Sequence, residues 1–210
     1  MKHSMLPSAL LLGLALCVVQ VAAAPARSLP ATRTTADLKA AYIGETTAHA
    51  KYASYARAAD REGYQEVAQL FRAASHAEGT HARNHRKALA DLGVVNPKAG
   101  SYTGAPGNTS ANLADALKGE RYERDTMYPA MIRDAKAEGQ TEAARSMYYA
   151  LSAEKQHAAL YAEALRKLST KPAARGFYVC PVCGATYTPR NVPAASPVCG
   201  TPKAAFKLVK

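Results

Sequence analysis

Two Glu-x-x-His motifs hold the residues of this sequence best suited to bind metal. Glu78 and His81 form the first motif, and Glu154 and His157 form the second. Three residues along an α-helix correspond to about 300° of rotation and roughly 4.5 Å of rise, so both side chains lie on one face. Each motif therefore predicts a helical clamp that can hold one metal ion.

Two Gly-Glu pairs, which precede the two motifs, supply further carboxylates. They end in Glu45 and Glu120, and Glu123 follows Glu120 at helical spacing. In a four-helix bundle, a clamp on each of two helices and a glutamate on each of the others can enclose a metal pair. Carboxylate and imidazole donors suit iron or manganese better than copper. Five buried carboxylates without metal would be severely unfavourable, so the pattern predicts a two-metal carboxylate site.

The remaining histidines of the same helices are poorer ligand candidates. His49 follows Glu45 by four residues, while His76 and His85 flank the first motif. We expect each to support a ligand or to lie on the surface.

Four helices are needed to position these residues, and apolar residues recur at helical spacing over 34–62, 65–92, 110–138 and 140–168. Thr34 or Thr35 can cap the first helix, and Ser110 the third. A linker rich in glycine and proline, 94–108, separates the two helix pairs. Pro129 is expected to bend the third helix or widen one turn, because proline lacks an amide donor.

The helix pairs also look duplicated. Glu62-Gly63 recurs as Glu138-Gly139 at the same offset as the two Glu-x-x-His motifs. A lone motif of this kind is common on exposed helices, but two copies in register favour a functional site.

The N-terminus has the pattern of an export signal. Lys2 and His3 precede an apolar run at 9–19, and small residues follow at 21–26. We predict a signal peptide at 1–24, cleavage after Ala23 or Ala26, and an exported protein of the bacterial periplasm without stable membrane association. An uncleaved membrane anchor is the alternative, but the apolar run is short for one that spans a bilayer. Cys17 follows Leu16, which is too large for a good lipoprotein signal.

Basic residues are concentrated near the C-terminus. The chain has 210 residues and a formal charge of +11, and residues 171–210 contain six basic residues but no Asp or Glu. Such a surface is either a solvated basic face or a docking site for an acidic electron-donor protein. No nucleic-acid motif accompanies it, so we expect no nucleic-acid partner.

Several motifs together resemble the rubrerythrin family. These are Ala41-Tyr-Ile-Gly-Glu45, Ala77-Glu-Gly-Thr-His81, Gly119-Glu-Arg-Tyr-Glu123, Met127-Tyr-Pro129, Ala153-Glu-Lys-Gln-His157, Cys180-Pro-Val-Cys183-Gly and Pro197-Val-Cys199-Gly. The resemblance covers nearly all of the mature chain. It implies a mainly α fold: a ferritin-like four-helix bundle at 34–169, followed by a small rubredoxin-like metal-binding domain with short β hairpins at 175–210.

The resemblance also implies residue roles. Glu123 and His81 would exchange at one iron as its oxidation state changes. Tyr52 and Tyr128 would hydrogen-bond near the site, although simple core packing is an equal alternative for them. The two iron ions would be held by seven ligands: Glu45, Glu78, His81, Glu120, Glu123, Glu154 and His157.

The C-terminal metal motif departs from the family pattern. A rubredoxin iron site needs two Cys-x-x-Cys hairpins, whose four thiolates surround one iron tetrahedrally, but here Cys180 and Cys183 are followed by Ser196 and Cys199. Serine is a harder and far less acidic ligand than cysteine. Three outcomes are open: iron with serine or water as the fourth ligand, zinc or an empty site, or a disulfide between Cys180 and Cys183. We favour metal binding.

The function that follows from the resemblance is a di-iron peroxidase that reduces hydrogen peroxide to water and protects against oxidative stress. Glu123, Tyr52 and Tyr128 are its candidate catalytic residues. Electrons would return through the rubredoxin-like centre of a neighbouring subunit, which implies a head-to-tail homodimer, and Ser196 puts this route in doubt. The alternatives are a ferroxidase or iron-buffering protein, and a non-enzymatic metal-binding protein.

Overall fold

A computed structural model describes Met1 and residues 32–210. The predicted signal peptide, its cleavage point and Cys17 lie outside the described residues. Within that part of the chain, none of the helices combines the length and the apolar character that crossing a bilayer requires.

Five α-helices build the bundle, and they confirm the mainly α prediction. The first, second and fourth predicted helices agree with the structure to within two residues at each end. Gly63 and Gly139 lie in the turns that follow the first and third predicted helices. Their φ angles are positive, 79° and 70°, and glycine adopts such angles without strain. The helices are α1 (Thr32–Arg61), α2 (Gln65–Asp91), α3 (Thr109–Tyr122), α4 (Tyr128–Ala137) and α5 (Thr141–Arg166).

The predicted helix caps are wrong in two places. Helix α1 begins at Thr32, so Thr34 lies inside it, and the Glu138 carboxylate accepts hydrogen bonds from the Arg33 and Thr34 amides at 3.1 and 2.9 Å. Asn108, two residues before the predicted Ser110, caps α3 by accepting from the Ala111 amide at 2.8 Å. The caps therefore depend partly on a distant residue.

The duplication predicted from the sequence reappears in these caps. Glu62 accepts from the Thr109 amide at 3.0 and 3.1 Å, as its counterpart Glu138 does at the start of α1. Each glutamate lies in the turn between the two helices of one pair and accepts hydrogen bonds from the orphan amides at the start of the other pair.

The third predicted helix is divided by a π-helical segment, Glu123–Met127. The amide of Tyr128 reaches back to the Glu123 carbonyl, five residues earlier. Pro129 follows at the start of α4 and has no amide to donate. The expected widened turn is confirmed, and Glu123 is the first residue of the π-helical segment.

Two apolar clusters pack the bundle on either side of a polar middle. One contains Tyr52, Phe71 and Tyr161, and the other contains Leu38, Leu89 and Met147. Along α1, α2 and α5 the candidate ligands fall between residues of these two clusters. The polar side chains are therefore held in the centre of the bundle by packing at both ends.

The C-terminal module is a three-stranded antiparallel sheet with strand order β2-β1-β3. Its strands are β1 (Phe177–Val179), β2 (Thr186–Tyr187) and β3 (Lys207–Val209). The module rests on α2 and α5: the Thr186 amide donates to Gln156 Oε1 at 2.7 Å, and Asn84 Nδ2 donates to the Val182 carbonyl at 2.8 Å.

Candidate metal centre

Two overlapping groups of buried side chains form the candidate metal centre. Within each group the possible ligand atoms all lie within 4.8 Å of one another. Glu78 and Glu154 belong to both groups, as expected of carboxylates that bridge two ions. The first group is Glu45, Glu78, His81 and Glu154, and the second is Glu78, Glu120, Glu154 and His157.

The two Glu-x-x-His motifs have matching geometry. His81 Nδ1 lies 2.9 Å from Glu78 Oε2, and His157 Nδ1 lies 2.7 Å from Glu154 Oε2. All four side chains are at most 1% exposed. Each motif therefore turns one imidazole nitrogen and one carboxylate towards the same point, as its helical spacing predicts.

Unpaired carboxylate oxygens show that the centre fits cations. One oxygen of each of the four clustered glutamates receives no hydrogen bond from any residue that the structure describes: Glu45 Oε2, Glu78 Oε1, Glu120 Oε2 and Glu154 Oε1. A buried, unpaired carboxylate oxygen is costly. Two bound metal ions would satisfy all four, so the donor set suits the metal pair.

Burial and neighbouring charges shift the pKa values of the two clustered histidines and of Glu154. Burial lowers the pKa of His81 and His157, but neighbouring carboxylates, Glu154 foremost, hold both well above the ordinary value. Burial, with Glu78 and Glu120 nearby, raises the pKa of Glu154 well above its usual range. Metal ligands must be deprotonated, so metal binding would release any proton that these groups hold.

Glu123 is the one predicted ligand that the structure leaves outside both groups. Its side chain is partly exposed at the start of the π-helical segment. Burial of the carboxyl and the charges of Glu45 and Glu120 raise its pKa well above the ordinary value, so it lies close to the cluster. Binding of a metal by Glu123 would require its side chain to move.

Tyr52 and Tyr128 both contact the cluster through their hydroxyls. Tyr52 donates to Glu120 Oε1 at 2.7 Å, and Tyr128 donates to Glu45 Oε1. Burial and the adjacent carboxylates raise the pKa of both phenols well above 10, so both remain protonated donors. Tyr52 also packs against Phe71, with ring centroids 6.0 Å apart, so hydrogen bonding and core packing coexist.

His85 supports the centre without belonging to it. The ring is fully buried, with Nε2 3.0 Å from the Tyr128 hydroxyl and Nδ1 2.7 Å from Ser146 Oγ. Burial lowers the pKa of His85, so the ring is neutral at neutral pH. No sequence signal identifies Ser146, one of several hydroxyl residues in α5.

The other two histidines lie away from the cluster, as expected. His49 is exposed and its Nδ1 is 2.7 Å from the Ser75 carbonyl, while His76 is half-buried. Neither belongs to the described metal-binding groups.

The outer nitrogens of both clustered histidines contact the C-terminal module. His81 Nε2 donates to the Cys183 carbonyl at 3.2 Å, and His157 Nε2 lies 3.1 Å from Thr186 Oγ1. Gly184 fits against the ring of His81, where an added Cβ would approach Nε2 to 2.2 Å. A carbonyl that accepts from Nε2–H leaves Nδ1 available for a metal.

A second candidate metal site lies within the module. The sulfurs of Cys180, Cys183 and Cys199 lie within 4.8 Å of one another, and these three thiols are unpaired within 32–210. The Cys183 hydrogen bond lowers the pKa of the Cys180 thiol to about 5, which favours the thiolate that metals bind.

The buried Ser196 hydroxyl completes the geometry of this site. Cys180 and Cys199 sulfurs are 3.6 Å apart, and Ser196 Oγ is 3.3 Å from Cys183 Sγ. A tetrahedral metal at ~2.3 Å from sulfur and ~2.0 Å from oxygen has edges of about 3.8 and 3.5 Å. Three sulfurs and one oxygen therefore fit a small tetrahedral metal.

Comparison with known proteins gives consistent matches. The rubrerythrin family model matches residues 37–165. Rubrerythrin-2 of Clostridium acetobutylicum is 37% identical over 180 residues, which cover 82% of this chain and 95% of that protein. Nigerythrin of Nitratidesulfovibrio vulgaris is 35% identical over 170 residues, which cover 81% of this chain and 83% of that protein. A solved structure of nigerythrin in a mixed-valence state has a TM-score of 0.77 at 35% identity, covering 83% of this chain and 86% of the other.

Proposed function

The chain belongs to the rubrerythrin family, whose members carry a di-iron centre, and from this premise we propose that it reduces hydrogen peroxide to water. One observation carries the proposal: two buried metal-binding groups share Glu78 and Glu154, and protonated tyrosines contact the flanking carboxylates. When bound, two ferrous ions supply the two electrons that the reaction consumes. The reaction also consumes two protons.

The protein supplies positioning and protons. Tyr128 and Tyr52 hold Glu45 and Glu120 from opposite sides of the cluster by hydrogen bonds, and their hydroxyls are the proton donors nearest to those carboxylates. We assign Glu123 as a mobile ligand and proton carrier, because it lies beside the cluster but outside both groups. The apolar clusters at each end exclude water from the centre.

We propose that electrons enter through the C-terminal module. Cys183 contributes a sulfur to the thiol cluster and its carbonyl accepts from His81 Nε2, so a single residue joins the two sites. In the structure this contact lies within one chain. A homodimer that exchanged the module between subunits would keep the same contacts, and we retain that arrangement as part of the proposal.

The electron donor is proposed to be an acidic redox protein on the exported side of the membrane. Cys199 is the partly exposed member of the thiol cluster, so electrons would enter at this edge. Lys203, Lys207 and Lys210 lie in the same module, which carries no acidic residue. Opposite charges would steer the partner to this edge.

Replacing Ser196 with cysteine is expected to change the iron of the module. A fourth thiolate stabilises ferric iron less than a hard oxygen ligand does, so the reduction potential rises and the visible thiolate-to-iron absorption strengthens. The measurement is a visible spectrum during redox titration of the iron-loaded chain. Ser110→Cys adds a thiol at an exposed position and should leave the reduction potential and the visible absorption unchanged. An unaltered spectrum in Ser196→Cys would remove position 196 from the coordination sphere.

Stopped-flow mixing tests the proposed activity directly. The ferrous-loaded protein should be reoxidised by hydrogen peroxide much faster than by dioxygen, and peroxide should be consumed catalytically when a reductant is present. Faster reaction with dioxygen would support a ferroxidase instead. Bound iron without turnover of either oxidant would indicate a metal-binding protein without enzymatic activity.

A further inference from the structure

Three side chains connect Glu45 to a pocket at the bundle surface. Ser146 Oγ is 2.7 Å from His85 Nδ1, His85 Nε2 is 3.0 Å from the Tyr128 hydroxyl, and that hydroxyl donates to Glu45 Oε1. The residues come from α5, α2, α4 and α1, so the bundle fold assembles a line of hydrogen bonds that no single helix contains.

The direction of these hydrogen bonds follows from the number of protons available. Tyr128 has one hydroxyl proton and gives it to Glu45, so its oxygen accepts from His85 Nε2–H. The neutral imidazole then has a lone pair at Nδ1, which accepts the Ser146 hydroxyl proton. Every donor in the line therefore points towards Glu45.

The outer end of the line borders a pocket that can hold water. Ser146 lines a pocket of about 190 Å³, whose rim includes Lys87, Asp91, Glu142 and Arg145. This volume is ample for several waters, since one needs only about 10–15 Å³. Ser146 is 6% exposed, whereas His85 and Tyr128 are completely buried. The pocket therefore meets the line at Ser146, the one of these three residues that retains exposed surface.

We propose that Ser146, His85 and Tyr128 form a proton path from this pocket to Glu45 at the metal centre. The inference rests on the proposed function, because peroxide reduction consumes protons there. In one transfer, a hydronium ion in the pocket gives a proton to Ser146 Oγ and becomes water, and the proton that Ser146 held passes to His85 Nδ1. The Nε2 proton passes to Tyr128, and the Tyr128 proton passes to Glu45. One proton enters and no electron moves; rotation of the hydroxyls and a ring flip of His85 restore the line.

Ser146→Ala tests the path in the iron-loaded full-length chain. We expect the rate of peroxide reduction to fall by at least about tenfold, since positioned proton transfer contributes about 10²–10⁴-fold, while iron content stays at the wild-type level. Ser146→Thr keeps a hydroxyl and should restore the rate. Ser152→Ala is the matched control: Ser152 lies in the same helix, but its hydroxyl bonds the Tyr148 carbonyl at 2.8 Å, and the rate should not change. A wild-type rate in Ser146→Ala overturns the proposal.

A second measurement separates this inference from the proposed activity. In the zinc-loaded protein, nitrogen NMR should find His85 protonated at Nε2, and the Tyr128 hydroxyl proton should exchange with water more slowly in Ser146→Ala than in the wild type. If the wild type does not reduce peroxide, the proposed function fails, and these signals still decide the path. Protonation at Nδ1, or equal hydroxyl exchange in both proteins, overturns it.

Discussion

Glu154→Ala is expected to abolish peroxide turnover and to lower metal affinity by more than about 100-fold. Glu154 belongs to both metal-binding groups, with Oε2 2.7 Å from His157 Nδ1 and Oε1 3.1 Å from His81 Nδ1. Loss of a residue that only orients a ligand already costs about 10–100-fold in metal affinity. A residue common to both sites should cost more, and metal analysis after dialysis measures the loss.

Two further variants distinguish loss of a metal ligand from loss of folding and from loss of a surface carboxylate in the same helix. Glu154→Gln preserves the shape of the side chain, so it should fold as the wild type does and still lose metal. Glu163→Ala removes another carboxylate of the same helix. This carboxylate forms an ion pair with Lys167 at the surface, and such exposed pairs contribute only about 0–1 kcal/mol to stability. The Glu163→Ala variant should keep both iron ions. Full metal content in Glu154→Gln would show that Glu154 does not hold the pair.

Gly184→Ala is expected to separate the C-terminal module from the metal centre. The new Cβ would lie 2.2 Å from His81 Nε2, so the ring or the module must shift and the hydrogen bond to Cys183 is lost. Peroxide turnover supported by an external reductant should fall by at least about tenfold, because displacement by about 1 Å can cost 100-fold. Amide exchange at Thr186, which donates to Gln156, should accelerate.

Gly200→Ala is the matched control for this contact. Gly184 and Gly200 follow Cys183 and Cys199, with φ angles of 75° and 77°, so alanine costs about 1–2 kcal/mol of backbone strain at either position. An added Cβ at Gly200 meets no described atom within 4 Å. The difference between the two variants therefore isolates the contact with His81. Equal turnover in both would argue against electron entry through this contact.

Much of the site was predictable from the sequence because helical spacing is local. A glutamate and a histidine three residues apart must share a face, and the structure brings both such pairs together with Glu45 and Glu120. The widened turn before Pro129 was equally predictable, since it follows from one missing amide. The position of Glu123 outside both groups was not predictable, because it depends on how that turn packs.

The sequence alone determined four features of this protein, because each follows from neighbouring residues or from resemblance. They are the ligand types, their periodicity, the duplicated helix pairs and the fold class. Tertiary structure decided which distant groups meet: Glu138 at the start of α1, Ser146 beside His85, and the Cys183 carbonyl at His81. These contacts join residues far apart in the chain, and no local pattern encodes them. Their geometry depends on how whole helices and the module pack, so it exists only in the folded protein.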